Sequence, residues 1–241
     1  MRRLMHTLVL IISTSLLGAA QAASTPPPAT TTKPPVRKPA SSAAAATAEP
    51  TAVIHTTAGD LHCTLFPKVA PIGVENFIGL ATGAKDWTNP VSHAKKHGVP
   101  LYDGTIFHRV IAEFMIQGGD PKGDGTGDPG YKFKNEVSPD LKFDRPGRLA
   151  YANSGPDTNG SQFFITEDVA HSKHLSGGYT IFGQCDEAAV ELVKKIARMA
   201  TDGERPLRPI KITHIEIRRA GAAAARPAAP KPSAGTKKPA S

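Results

Sequence analysis

The sequence predicts a mainly β fold, a closed barrel capped by two α-helices, and two observations carry that prediction. Short runs rich in β-branched and aromatic residues recur between residues 51 and 218, separated by Gly, Pro and Asp turns. Only two segments show helical periodicity, one near each end of that stretch. So many short strands with so few helices are best satisfied by a sheet that curls until its edges meet, with helices over the open ends.

The elements follow in order. "TAVIHTT" (51–57) and "LHCTLF" (61–66) read as strands joined at Ala58-Gly59-Asp60, a hairpin signature. In "APIGVENFIGLATG", Val74, Phe77, Ile78 and Ala81 fall at helical spacing, with Pro71 near the start and Gly83 at the close. "DWTNPVSHAKKHGVP" (86–100) is polar and broken by Pro and Gly, so it reads as a loop. "TIFHRVI" and "FMIQGG" are strands. Strict alternation puts Phe107, Arg109 and Ile111 on one face and His108 and Val110 on the other, and sets Phe114 and Ile116 opposite Met115 and Gln117. After a glycine-rich loop come "RLAYA", "SQFFIT", with Gln162 and Phe164 on one face, and "YTIFGQC". "DEAAVELVKKIARMA" is the second helix: Asp186 suits the N-cap, and Ala189, Leu192, Val193, Ile196 and Met199 make an apolar stripe. "IKITHIEI" closes the domain as an alternating strand.

The flanks differ in kind. Arg2 and Arg3, the apolar "LVLIISTSLLGAA" and "AQA" at 20–22 read as a secretory signal peptide over residues 1–23. The mature protein is therefore expected to be exported, periplasmic and not stably inserted in the membrane. Residues 24–50 and 219–241 are Pro, Ala, Thr and Lys with almost no large apolar residue, so they read as a disordered linker and a disordered tail. Between them lies one domain, 51–218, able to bury about 70% of its unfolded-chain surface. The net charge of +8 belongs to the flanks: each carries five basic residues, leaving 19 basic against 20 acidic in the domain. That balance argues against a nucleic-acid partner. Cys63 and Cys185 both lie in apolar strand-like surroundings. Export permits a disulfide, and two buried free thiols are equally consistent with the sequence.

Several chemistries fail on spacing. "GGDPKGDGTG" lacks the Gly-Lys-Ser/Thr ending of a phosphate-binding loop, and Asp120, Asp124 and Asp128 lack calcium-loop spacing, so the stretch reads as turn chemistry. His93 with His97 and His171 with His174 have neither a nearby cysteine nor a Glu between them, so no metal site is expected. No Gly-x-Ser-x-Gly elbow surrounds Ser154 or Ser161. Arg109 stands out as a charge among Phe107, Val110, Phe114 and Met115. On spacing alone, an arginine satisfied by a carboxylate is the better reading.

Four blocks, "FHRVIAEFMIQGGD", "GTG" at 125–127, "LAYANSGPDTNGSQFFIT" and "YTIFG", occur in an order that resembles the cyclophilin family of peptidyl-prolyl cis-trans isomerases across nearly all of residues 51–218. The resemblance implies an eight-stranded antiparallel barrel with a helix over each open end and an active groove on its outer face. It implies that Arg109 is the catalytic arginine and that Phe114, Met115, Phe164 and Leu175 form the proline pocket. Gln117, Ala152, Asn153 and Gln162 match groups that hold the peptide backbone, and His108 and Tyr179 match further groove positions. No cofactor is implied. Tyr179 stands where many relatives have histidine. His174 stands near a position where many have a tryptophan that contributes to cyclosporin binding. The expected partners are unfolded or partly folded exported polypeptides with X-Pro bonds, and a monomer is expected. The alternative is a chaperone module that binds proline-containing segments without turnover. The arginine favours catalysis, because a pure binder has no use for a donor aimed at the imide nitrogen.

Overall fold

The computed structural model describes residues 49–219. The signal peptide expected at 1–23, and all but the inner ends of the flanks 24–50 and 219–241, lie outside the described residues. Among the described residues no helix is long and apolar enough to cross a membrane.

In chain order the elements are β1 (Thr51–Thr56), β2 (Gly59–Leu65), α1 (Pro71–Thr82), β3 (Trp87–Thr88), β4 (Lys95–Lys96), β5 (Arg109–Ile111), β6 (Met115–Gly118), β7 (Arg148–Tyr151), β8 (Phe163–Thr166), β9 (Ile181–Cys185), α2 (Glu187–Ala197), β10 (Thr201–Asp202), β11 (Arg205–Pro206) and β12 (Ile212–Arg218). Eight of them form one sheet in the order β12-β1-β2-β9-β7-β8-β6-β5, every neighbouring pair antiparallel. The expected closed barrel is corrected to a curled sheet. β12 and β5 remain its two edges: the segments ahead of them meet in one isolated bridge, Ile106 with Lys211, and in a few backbone bonds such as Phe107 N–H to the Ile210 carbonyl (3.0 Å), short of a continuous ladder. β3 with β4 and β10 with β11 are separate two-residue ribbons. The first of these lies inside the expected 86–100 loop and is fastened by buried Trp87, whose Nε1–H donates to the Val99 carbonyl (2.8 Å).

Both helices lie where their periodicity predicts. Helix α1 has Pro71 in its first turn and Gly83 in the left-handed conformation (φ 75°) at its C-cap. A Cβ on Gly83 would meet the backbone of Gly98 and Val99 at 2.9 Å, so this stop needs glycine twice over. Ala70 offers no capping side chain. The free N–H groups of Ile72 and Gly73 donate instead to the two carboxylate oxygens of Glu136 (3.0 and 2.8 Å), a cap brought from 64 residues away. Helix α2 is shorter than its 186–200 pattern. Asp186 caps it by accepting the Ala189 N–H (2.8 Å); Ala189, Val193 and Ile196 are buried with Val190, while Leu192 and Met199 pack at the margin.

The interior gathers Phe77, Tyr102, Phe163 and Phe182 with ring centroids 5.1–5.7 Å apart. Asn76 of α1 is fully buried among them, and all of its polar atoms are used. Its Nδ2 donates to Tyr151 Oη (3.1 Å) and the Gly160 carbonyl (3.0 Å), and its Oδ1 accepts from Tyr131 Oη–H (2.7 Å).

Strict alternation fails in three places. Phe107 and Val110 both reach the core, while Arg109 and Ile111 are half-buried on the other side. The chain pairs with the Ile210 segment at Phe107 and with β6 from His108 onward (His108 N–H to the Gln117 carbonyl, 3.1 Å), and its faces exchange at that change of partner. Phe114 does not share a face with Ile116. It precedes β6, just after Glu113 at φ 64°, and packs on the Met115 side. In β12 a bulge at the His55/Thr56 register shift sends Ile212 and Ile215 inward together.

Candidate active site

The sheet buries a different cluster on each face. Ile116, Leu149, Tyr151, Phe163 and Ile165 point into the main core. Met115, Ala150, Phe164 and Ile181 instead join Phe143 in a second cluster on the outer face. Strands β7 and β8 are therefore buried along their whole length, as strands covered on both faces must be. Phe114, Ala152, Leu175 and Tyr179 edge the outer cluster and leave its top open.

A groove of about 520 Å³ lies over this cluster. Of the eleven site residues expected from the sequence, ten line it: His108, Arg109, Phe114, Met115, Gln117, Ala152, Asn153, Phe164, Leu175 and Tyr179. Gln162 stands one layer back. Its Oε1 accepts from Gln117 Nε2 (2.9 Å), and its Nε2 donates to the carbonyls of Gly125 (3.0 Å) and Gly127 (2.9 Å), so it holds Gln117 against the glycine-rich loop. The apolar floor is set by aromatic contacts. Phe164 meets Phe143 face to face (5.8 Å) and Tyr179 edge-on (5.6 Å), while Phe114 stacks with exposed His174 (6.2 Å).

Arg109 and Gln117 are register partners on β5 and β6, so their side chains rise together on the groove side. The guanidinium donates through Nη1 to Gln117 Oε1 (3.4 Å), and through Nε and Nη2 to the carboxylate of Glu204, the Nη2 contact being 3.4 Å. The arginine thus has the carboxylate partner that its apolar surroundings call for, and it also faces an open groove.

His108 is buried, and both of its ring nitrogens lack hydrogen-bond partners among the described residues. Burial pushes its pKa below the ordinary histidine value; Asp120 and Asp124 oppose that shift, and Arg205 and Arg109 reinforce it. The glycine-rich loop beside it is organised by buried Asp120, whose carboxylate accepts the N–H groups of Lys122 (2.7 Å), Asp124 (3.1 Å), Gly125 (2.6 Å) and Gly127 (3.3 Å). This is turn chemistry, with Gly123 and Gly125 at positive φ.

Sequence reasoning missed one wall of the groove. Asp202, Glu204 and Arg205 line it from the β10–β11 ribbon, and Asp124 and Gly125 from the glycine-rich loop. "TDGERP" reads locally only as a turn, and nothing in it announces contact with a residue 95 positions earlier. Among the described residues, no group of three or more His, Cys, Asp or Glu is placed to hold a metal ion, and all four loop histidines are exposed.

Cys63 and Cys185 face each other in register across β2 and β9 and are joined by a disulfide. They lie away from the groove and play no part in its lining.

The arrangement sets a cationic donor beside an apolar slot formed by Phe114, Met115, Phe164 and Leu175, with the amide side chains of Gln117 and Asn153 also lining the groove. No Ser, Thr, Cys or Lys lines the groove, so an aliphatic hydroxyl, a thiol or an amine nucleophile is not at hand.

The family model described as cyclophilin type peptidyl-prolyl cis-trans isomerase/CLD matches residues 51–217. Peptidyl-prolyl cis-trans isomerase A of Mycobacterium tuberculosis is 51% identical over 172 residues, covering 70% of this chain and 93% of that one. Peptidyl-prolyl cis-trans isomerase B of Streptomyces anulatus is 48% identical over 169 residues, covering 69% and 95%. A crystal structure of a Cryptosporidium parvum cyclophilin-type isomerase, determined in the presence of the dipeptide Ala-Pro, matches with a TM-score of 0.58 at 35% identity, covering 70% of this chain and 98% of that one.

Proposed function

The chain belongs to the cyclophilin-type peptidyl-prolyl cis-trans isomerases, and from that premise we propose that it rotates X-Pro bonds in exported polypeptides in the periplasm, with Arg109 as its catalytic donor. The observation that carries the assignment is the guanidinium of Arg109 held beside the slot of Phe114, Met115, Phe164 and Leu175.

An X-Pro amide resists rotation because the nitrogen lone pair is delocalised into the carbonyl, and the barrier is about 18–20 kcal/mol. As the bond twists, the lone pair localises on nitrogen and becomes an acceptor. A guanidinium N–H aimed there binds the twisted state better than either planar isomer, and such differential binding lowers the barrier. The slot would grip the proline ring while Gln117, Asn153 and the Ala152 backbone steady the flanking chain. Nothing is transferred and no covalent bond breaks, so the reaction calls for no nucleophile, and no Ser, Thr, Cys or Lys lines the groove.

The periplasmic setting rests on the signal-peptide pattern of residues 1–23. The Cys63–Cys185 bond supports it, since disulfides persist in oxidising compartments. The clients would be unfolded or partly folded chains, and the protein would act as a monomer.

The test is NMR exchange on a short Ala-Pro-containing peptide, without a coupled protease, comparing wild type with Arg109→Ala. The expected result is accelerated exchange in wild type and loss of at least about a hundredfold of that acceleration in a folded variant. A folded variant that keeps wild-type exchange would remove Arg109 from the mechanism. Binding without acceleration by wild type would favour the chaperone module. Cell fractionation with and without residues 1–23 tests the compartment.

A further inference from the structure

We propose that Glu204 is a positioning residue for the isomerase reaction: it clamps the guanidinium of Arg109 so that its Nη1 edge faces the bound proline. The inference rests on the reading of Arg109 given above.

A guanidinium carries five N–H donors, one on Nε and two on each Nη. Glu204 takes the Nε donor and one on Nη2, along the edge of the plane turned away from Gln117. Gln117 Oε1 takes one on Nη1. With Nε, Nη2 and Nη1 each holding a partner, the swing of the plane is restrained, and one N–H on Nη1 and one on Nη2 remain free on a side chain that lines the groove. An unclamped arginine at this position, 39% exposed, would sample several rotamers, most of them turned to solvent.

The clamp is itself anchored. Glu204 sits in the Gly203–Glu204 turn of the β10–β11 ribbon, with Gly203 at φ 58°. Its own carbonyl accepts the Val110 N–H (2.8 Å), one residue beyond Arg109. Arg205 Nη1 donates to the Gly123 carbonyl (2.8 Å), tying the ribbon to the glycine-rich loop on the opposite side. Backbone and side chain of one residue thus fix both the strand carrying Arg109 and its charged head.

Two opposing effects decide the sign. A carboxylate beside the cation weakens its field at the groove, whereas fixing its direction strengthens a short-range hydrogen bond. Glu204 is 53% exposed, so solvent screens its charge beyond the contact, while the directional effect acts at the reacting nitrogen. Orientation therefore wins. The same exposure means that the pair contributes little to folding, so its loss is expected in catalysis rather than in stability.

The experiment measures kcat and KM by exchange NMR for wild type, Glu204→Ala, Glu204→Gln and Arg109→Ala, together with solvent exchange of the Arg109 Nε–H signal. Glu204→Ala should lower kcat about tenfold with KM changed less than about twofold, and should speed exchange of the Nε–H. Glu204→Gln, which keeps an acceptor of the same shape, should restore most of both. Wild-type kcat in Glu204→Ala, or a rise, overturns the clamp while leaving the role of Arg109 standing if Arg109→Ala is inactive. A kcat loss with the Nε–H signal unmoved overturns it too. An active Arg109→Ala removes both readings together.

Discussion

His108 and Arg109 are neighbours in the chain with opposite fates: one buries an uncharged ring in the groove wall, the other keeps its charge at the opening. Because burial lowers the His108 pKa, the folded state binds fewer protons than the unfolded state below about pH 6.5, the ordinary value. Its neutral form therefore supports full stability above that pH, and stability falls as the pH drops through the window beneath it. His108→Gln should flatten this acid-side fall in Tm, measured by calorimetry across that window, and an unchanged slope would show that another group titrates. Phe164 is packed in the outer cluster and also lines the groove. At 4% exposed, it should cost about 3–5 kcal/mol when cut to alanine, read by denaturant unfolding, with proline affinity falling alongside. At this scale most of the groove was legible, because ten of its residues lie within three short blocks, 108–117, 152–164 and 175–179, whose motifs are local. Glu204 was not. An ion pair is a tertiary event, and the carboxylate lies 95 residues from its arginine with no periodicity to link them.

Elements show the same division. Helices α1 and α2 announce themselves through stripe, Pro71, Gly83 and Asp186, all read from neighbouring residues. The N-terminal cap of α1 is different, since Glu136 reaches it from a loop after the glycine-rich segment. Glu136→Ala should therefore cost about 1–2 kcal/mol by chemical denaturation, and an unchanged midpoint would mean that water replaces it freely. The turn from β5 to β6 depends on another remote acid. Glu113, at φ 64°, donates its N–H to buried Glu167 (2.9 Å), which also pairs with Arg198 at the end of α2. This turn sets where Phe114 emerges, and it is why period-two alternation fails there. Glu167→Ala should lower stability by about 2–3 kcal/mol and raise KM as Phe114 loosens; a changed midpoint with KM unmoved would uncouple the turn from the slot.

For the whole molecule, the eight-stranded sheet curls without closing its ladder, which short strands with local alternation do not reveal. Whether edges pair depends on where the chain ahead of β5 and β12 spends its hydrogen bonds. The Cys63–Cys185 bond ties β2 to β9 across a sequence separation of 122. A loop that long gives about 5 kcal/mol of stabilisation in the chain-entropy treatment, an upper figure for this site. Replacing both cysteines with serine should lower Tm markedly while leaving kcat near wild type, since neither residue lines the groove. A thiol count of zero on the unreduced protein checks the bond itself.

Thr51 and Arg218 are register partners at the ends of β1 and β12, so the domain begins and finishes one strand spacing apart, about 5 Å. A domain whose ends meet in this way can be rewired. Joining residue 218 to residue 51 through a short glycine bridge, and cutting the chain anew in the exposed 91–95 stretch, should yield a circular permutant that folds and turns over. The same geometry would let the intact domain be grafted as a cassette into a surface loop of another protein without prying that loop apart.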